Sequence, residues 1–108
     1  MAETDPKAFY KSGMGKFVRQ DFAGAVEDFK KAVELAPQYG DVHQSMAHAY
    51  EKLGDLDAAL EAAQQAAQCS PDDFLLHTSL SILYQRKGMI PQAEAEKAIA
   101  AQLQQRRP

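Results

Sequence analysis

A spacing of 34 residues governs this chain of 108. Tyr50 recurs as Tyr84, Gly54 as Gly88, His43 as His77 and Pro37 as Pro71. Ala25, Ala59 and Ala93 form one column, and Ala32, Ala66 and Ala100 another, all in the same register. A chain built this way makes three copies of one small unit, and the apolar side that each copy cannot bury alone must be covered by its neighbour. Within each copy the pattern runs helix, turn, helix. In the second, Met46, Ala47, Ala49, Tyr50 and Leu53 share one side of a helix expected over about 41–53. Gly54-Asp55 then breaks it, because glycine reaches the left-handed conformation cheaply. Leu60, Ala63, Ala66 and Ala67 mark a second helix over about 58–69, for which Asp57 is the expected cap. Ser70-Pro71-Asp72-Asp73 stops that helix and caps the third pair.

The first copy opens on Asp5-Pro6, an N-cap followed by a proline at the first helical position, with helices expected over about 6–19 and 23–36. The third has helices over about 74–87 and 91–106, the second opened by Pro91. The expectation is therefore all-α, six helices as three hairpins in one domain over 1–108, with units of about 6–39, 40–73 and 74–107.

Composition narrows the function classes. Leucine, alanine, glutamine, glutamate and lysine favour helix, and no run of alternating β-branched residues suggests a sheet. The start, MAETDPKAFYK, lacks the basic-then-apolar order of a secretory signal. No apolar stretch approaches the roughly 18 residues of a membrane span. One cysteine allows no internal disulfide and suits a reducing, cytoplasmic setting. The net charge of −3 is uneven: residues 40–73 hold seven acids and one base, Lys52. Without a continuous basic stripe a nucleic-acid partner is not expected. Arg106 and Arg107 read as cations favoured at a helix C-terminus.

These residues resemble the tetratricopeptide repeat family, whose unit is a 34-residue helix-turn-helix. Unit two matches through Met46, Ala47, Tyr50, Gly54, Asp55, Ala59, Ala66 and Pro71. Unit one does so through Phe9, Gly13, Asp21, Phe22, Ala25, Phe29, Ala32 and Pro37, and unit three through Leu80, Tyr84, Gly88, Ala93 and Ala100. The resemblance implies a right-handed superhelical stack, an α-solenoid, whose concave surface is lined by the first helix of each hairpin. Some positions depart from the pattern. Lys16 stands where the other units have Tyr50 and Tyr84, and Gly13 and Gly15 sit inside the first helix, so that helix is expected to be rotated, loose or frayed. Met89 replaces Asp21 and Asp55. Glu94 and Lys97 are expected to polarise the outer side of the last helix, leaving Ile90, Ile99 and Leu103 for inward packing.

No constellation carries catalysis. His43 and His77 occupy equivalent sites, are poorly placed as shared metal ligands, and read as packing imidazoles. His43 and His48 are five residues apart and diverge by about 140° on a helix, unlike a zinc-binding pair. Cys69 shares a column with Leu35 and Leu103 and reads as a small core hydrophobe. Asp72-Asp73 and Asp55-x-Asp57 sit where helices need caps, and no glycine loop cradles a phosphate. Neither an enzyme nor a cofactor or metal is expected.

The inner wall remains. Helical spacing sets Tyr10, Met14 and Phe17 on one stripe, Gln44, His48 and Glu51 on the next, and Thr78, Ile82 and Gln85 on the third, with Lys7, Asp41 and Leu75 at their starts. These columns change chemistry from unit to unit, as a ligand-reading surface would. Tyr10, Met14 and Phe17 equally suit local packing in a rotated first helix, and both readings stand. Chaperone-adaptor members of the family clamp a partner's C-terminal carboxylate with lysines, asparagines and an arginine. The corresponding positions here are Tyr10, Met14, Ser45, Leu75 and Ser79, which supply no charge, so that function is not expected. The implied role is a non-catalytic adaptor that binds a protein or peptide segment with apolar anchors and one basic group. The alternative is a self-associating scaffold that uses the ends of the stack, end to end or as a homodimer through the last helix.

Overall fold

The computed structural model describes residues 5–106. Six helices follow one another: α1 (Pro6–Val18), α2 (Phe22–Leu35), α3 (Gly40–Lys52), α4 (Leu56–Cys69), α5 (Phe74–Arg86) and α6 (Ile90–Gln105). No strand occurs among the described residues. The helices pair as α1–α2, α3–α4 and α5–α6, and α2 packs on α3 and α4 on α5. The product is the all-α, right-handed stack of three hairpins, 46 × 31 × 20 Å. Arg107 lies outside the described residues, while Arg106 caps α6 at its C-terminal end.

Local chemistry sets the helix ends. Asp5, Asp21, Asp55 and Asp73 each accept a backbone N–H of the first turn that follows, from Lys7, Gly24, Ala58 and Leu75 respectively. Asp55, not Asp57, therefore caps α4, and Asp57 lies in its first turn. Met89 leaves α6 without a side-chain cap, and proline in the first turn helps to set its start instead. Gly54 and Gly88 hold φ of 81° and 77°, the left-handed geometry that ends α3 and α5. In unit one Gln20 occupies the same column with φ 68°, a conformation that side-chain-bearing residues adopt at a cost.

The alanine columns are the core. Ala25, Ala32, Ala59, Ala66 and Ala93 are fully enclosed, and Ala100 nearly so, together with Phe29, Val42, Ala49 and Leu83. Small residues here let backbones come close enough for larger ones to seal the gaps between hairpins. Where α1 meets α2 the approach leaves no room for a side chain. A Cβ built on Gly13 would lie 2.5 Å from Cε1 of the buried Phe29. Gly13, Ala47 and Ser81 are one column, all buried, and the Ser81 hydroxyl donates to the Ala93 carbonyl at 2.9 Å.

The first helix therefore keeps the phase of the others, contrary to the expectation of a rotated α1. Lys16 fits the tyrosine column because its ammonium reaches the Asp28 carboxylate at 3.0 Å. Ser12 also donates to Asp28, at 2.6 Å. Burial pushes the Asp28 pKa up, but these hydrogen bonds and the charges of Lys16 and Lys31 outweigh it and hold it below the usual value.

The last helix also corrects the sequence reading. Glu94 and Lys97 are exposed as expected, but Ile90 and Ile99 are 52% and 38% exposed rather than packed inward. Leu103 is half-buried. Cys69 is likewise half-buried and Leu35 exposed, so that column is not core.

The two glycines of α1 should respond in opposite directions. Gly13→Ala drives a methyl into Phe29 and should cost about 1–3 kcal/mol. Gly15→Ala meets nothing nearer than Arg19 Nη1 at 3.7 Å and should gain up to about 1 kcal/mol. Urea unfolding of both variants checks this; equal effects would mean that α1 is not held against Phe29.

Candidate functional site

The first helices of the hairpins, α1, α3 and α5, form one wall of the stack. From α1, Tyr10 stands between units: its ring meets Phe29 at 6.0 Å and Tyr39 at 5.4 Å, and its hydroxyl lies 3.5 Å from Ser45 Oγ. Phe17 packs edge-on against Phe22 at 5.1 Å. Tyr10, Met14 and Phe17 are half-buried against the core, so local packing accounts for much of their surface. Met14 and Phe17 nonetheless line a small apolar notch between α1 and α3, closed by Ser45 and His48.

A second notch separates α3 from α5. Ala47, Ala63 and Leu83 are its buried residues, Ile82 stands at its lip 49% exposed, and Gln44, His48, Glu51 and Ser79 supply polar edges. Side chains span the gap. The Gln44 amide nitrogen donates to Ser79 Oγ at 3.4 Å, and Glu51 lies 3.7 Å from Arg86. The Gln44 Oε1 is buried with no hydrogen-bond partner, an unpaired acceptor behind the notch wall. Glu51 is also 3.7 Å from His48. Its carboxylate is therefore shared between the two. Asp41, Leu75, Thr78 and Gln85 are exposed, with Leu75 at 60%. Thr78 turns its hydroxyl back to the Phe74 carbonyl at 3.0 Å.

His43 and His77 are buried, 6% and 8% exposed, and sit away from that wall. Their Nε2–H groups donate to the carbonyls of Pro37 and Pro71, each at 2.8 Å. The histidine and proline columns of the sequence are thus two ends of one repeated hydrogen bond. His77 Nδ1 also donates to Glu96 Oε1 at 2.7 Å. Burial opposes charge on this ring, but the Glu96 hydrogen bond, the Pro71 carbonyl and the charges of Glu96 and Asp73 outweigh it and raise its pKa. Among the described residues no cluster of three or more His, Cys, Asp or Glu could hold a metal ion.

Comparison with known proteins agrees with this architecture. The tetratricopeptide repeat profile matches residues 19–83. Anaphase-promoting complex subunit cut9 of Schizosaccharomyces pombe is 28% identical over 90 residues, 77% of this chain and 13% of that protein. The crystal structure of MamA superposes with a TM-score of 0.91 at 22% identity, covering 94% of this chain and 60% of that one. The Yersinia enterocolitica type III secretion chaperone SycD, solved with a peptide of the translocator YopD, gives 0.85 at 15% identity, covering 94% and 78%. This chain spans 13%, 6% and 48% of the length of three curated relatives it matches.

The His77–Glu96 pair makes a signed prediction. Because the folded pKa of His77 is raised, the pair's contribution is fully present below the unfolded value of 6.5 and is lost as pH rises through the folded value. Glu96→Ala should therefore destabilise most in mildly acidic buffer, and its deficit should shrink as the pH is raised. Thermal melts of both proteins across pH check this; a deficit that grows with pH would contradict the pairing.

Proposed function

This chain belongs to the tetratricopeptide repeat family, and from that premise we propose that it is a non-catalytic adaptor that holds a segment of another protein on the α1–α3–α5 wall. The reading rests on the notch between α3 and α5. There an apolar floor, the exposed Ile82 and the unpartnered Gln44 Oε1 lie together. An extended segment carries what this surface lacks: backbone N–H donors for the glutamine oxygen and an apolar side chain for the notch. The Met14–Phe17 notch takes a second anchor. The two notches share His48, so both anchors can come from one short segment. Asp41, exposed at the start of α3, suits a basic residue of the segment.

The proposed contact set is Tyr10, Met14, Phe17, Asp41, Gln44, His48, Glu51, Leu75, Thr78, Ile82 and Gln85, with Tyr10 and Glu51 shaping the wall more than offering free groups. That SycD was solved with a peptide makes this kind of ligand a natural one for the shared fold. The single domain is taken as units of about 6–39, 40–73 and 74–107. A cytoplasmic setting is proposed from the single free thiol of Cys69. Among the described residues no helix is long and apolar enough to cross a membrane.

The scaffold alternative draws on the exposed Ile90 and Ile99 of α6. Against it, Glu94 and Lys97 occupy the columns in which Val26, Leu60, Phe29 and Ala63 are buried. A further hairpin stacked there would have to bury both charges.

A photoreactive group at Thr78 should crosslink the bound segment, and one at Leu35, on the far side, should not. Ile82→Glu should weaken capture about tenfold or more with helicity unchanged. Undiminished capture by the folded variant would end this reading.

A further inference from the structure

We propose that the cleft over His43, on the face formed by the second helices of the hairpins, binds a carboxylate presented by a partner protein, from an acidic side chain or a chain terminus. The inference is independent of the α1–α3–α5 wall. The protein carries two copies of one arrangement, one filled and one open. In unit three, His77 is buried between the Pro71 carbonyl on Nε2 and the Glu96 carboxylate on Nδ1. In unit two, His43 is buried to the same degree and makes the same bond to Pro37, but the position 34 residues before Glu96 is Ala62. His43 Nδ1 is left buried with no hydrogen-bond partner. The His43 ring lines a cleft of about 260 Å³, several times the roughly 30 Å³ share of one water.

The lining shows what would enter. Lys30 comes from α2, Met46 and Tyr50 from α3, and Glu61 and Ala62 from α4. Lys30 is exposed and makes no ion pair among the described residues, so its ammonium can meet an incoming anion. Glu61 opposes that charge from the other wall, and Tyr50 lies between them. The Pro37 carbonyl can accept only, which fixes Nε2 as the N–H and leaves Nδ1 a bare lone pair on the neutral ring. A carboxylate there needs a proton on Nδ1. Binding takes up that proton from solvent, and the ring becomes a doubly donating imidazolium, the arrangement His77 makes with Glu96. Affinity therefore rises as the pH falls. An ammonium ligand could use the lone pair instead, with Glu61 attracting and Lys30 repelling it, but the filled copy at His77 holds a carboxylate, which favours the anion.

Two short peptides distinguish the sources: one blocked at both ends whose sole charge is a glutamate side chain, and one blocked at the N-terminus whose sole charge is its terminal carboxylate. The readout is the ring nitrogen resonances of His43 in the intact protein. At least one peptide, at millimolar concentration, should convert Nδ1 from bare to protonated and bind about tenfold tighter near pH 6 than near pH 8. The one that responds identifies the source. Glu61→Gln should tighten binding. Ala62→Glu should give the protonated signal with no peptide present and block the cleft. His43→Phe should abolish binding in a folded protein, because unit one already carries Phe9 in this column. If both peptides leave the His43 nitrogens unmoved, or if binding survives in His43→Phe, the proposal is overturned.

Discussion

Close approach of the two helices within each hairpin is the constraint on which the rest depends. At Gly13, Ala47 and Ser81 the first helix of each pair carries a small buried residue. The facing alanines at positions 25, 59 and 93 are fully enclosed. With the backbones this near, large side chains such as Leu83 are freed to seal the seams between units. The stack then follows, because a hairpin whose apolar side is covered on one flank must find cover on the other. The wall of α1, α3 and α5 is a consequence of that packing rather than a separate invention.

The period of 34 residues was enough to read six helices and their pairing, because alanine and glycine columns report backbone geometry directly. Helix ends were legible to within a residue or two for the same reason. The error at α4 came from two aspartates in reach of one start: Asp55 and Asp57 carry the same chemistry, and only the position of the first turn separates them. The error at α1 came from treating Lys16 as a tyrosine that had been lost. Its partner, Asp28, lies on another helix, and the sequence gives no sign of that pairing until the two helices are laid together.

The candidate wall was less legible than the fold. Helical spacing laid out the stripes, but exposure depends on neighbours. Tyr10 lies against Phe29 and Tyr39, and Glu51 is held near Arg86, and neither contact is local in sequence. The open oxygen of Gln44 and the bare nitrogen of His43 were invisible for a further reason: each is an absence, recognisable only against a completed set of hydrogen bonds. For His43 a signal did exist. Comparing Asp28, Ala62 and Glu96 down their column shows the middle unit lacking the carboxylate that its flanking units carry.

If stacking supplies the core, stability must be greatest where a hairpin has neighbours on both sides. Native-state amide hydrogen exchange measures that directly, residue by residue. The account predicts that Ala47 and Ala63 of the middle hairpin exchange at least about tenfold more slowly than Ala93 and Ala100 of the last. Protection in α6 equal to or above that of α4 would contradict it, since the last hairpin would then be as firmly held with a neighbour on one side as the middle one is with neighbours on both.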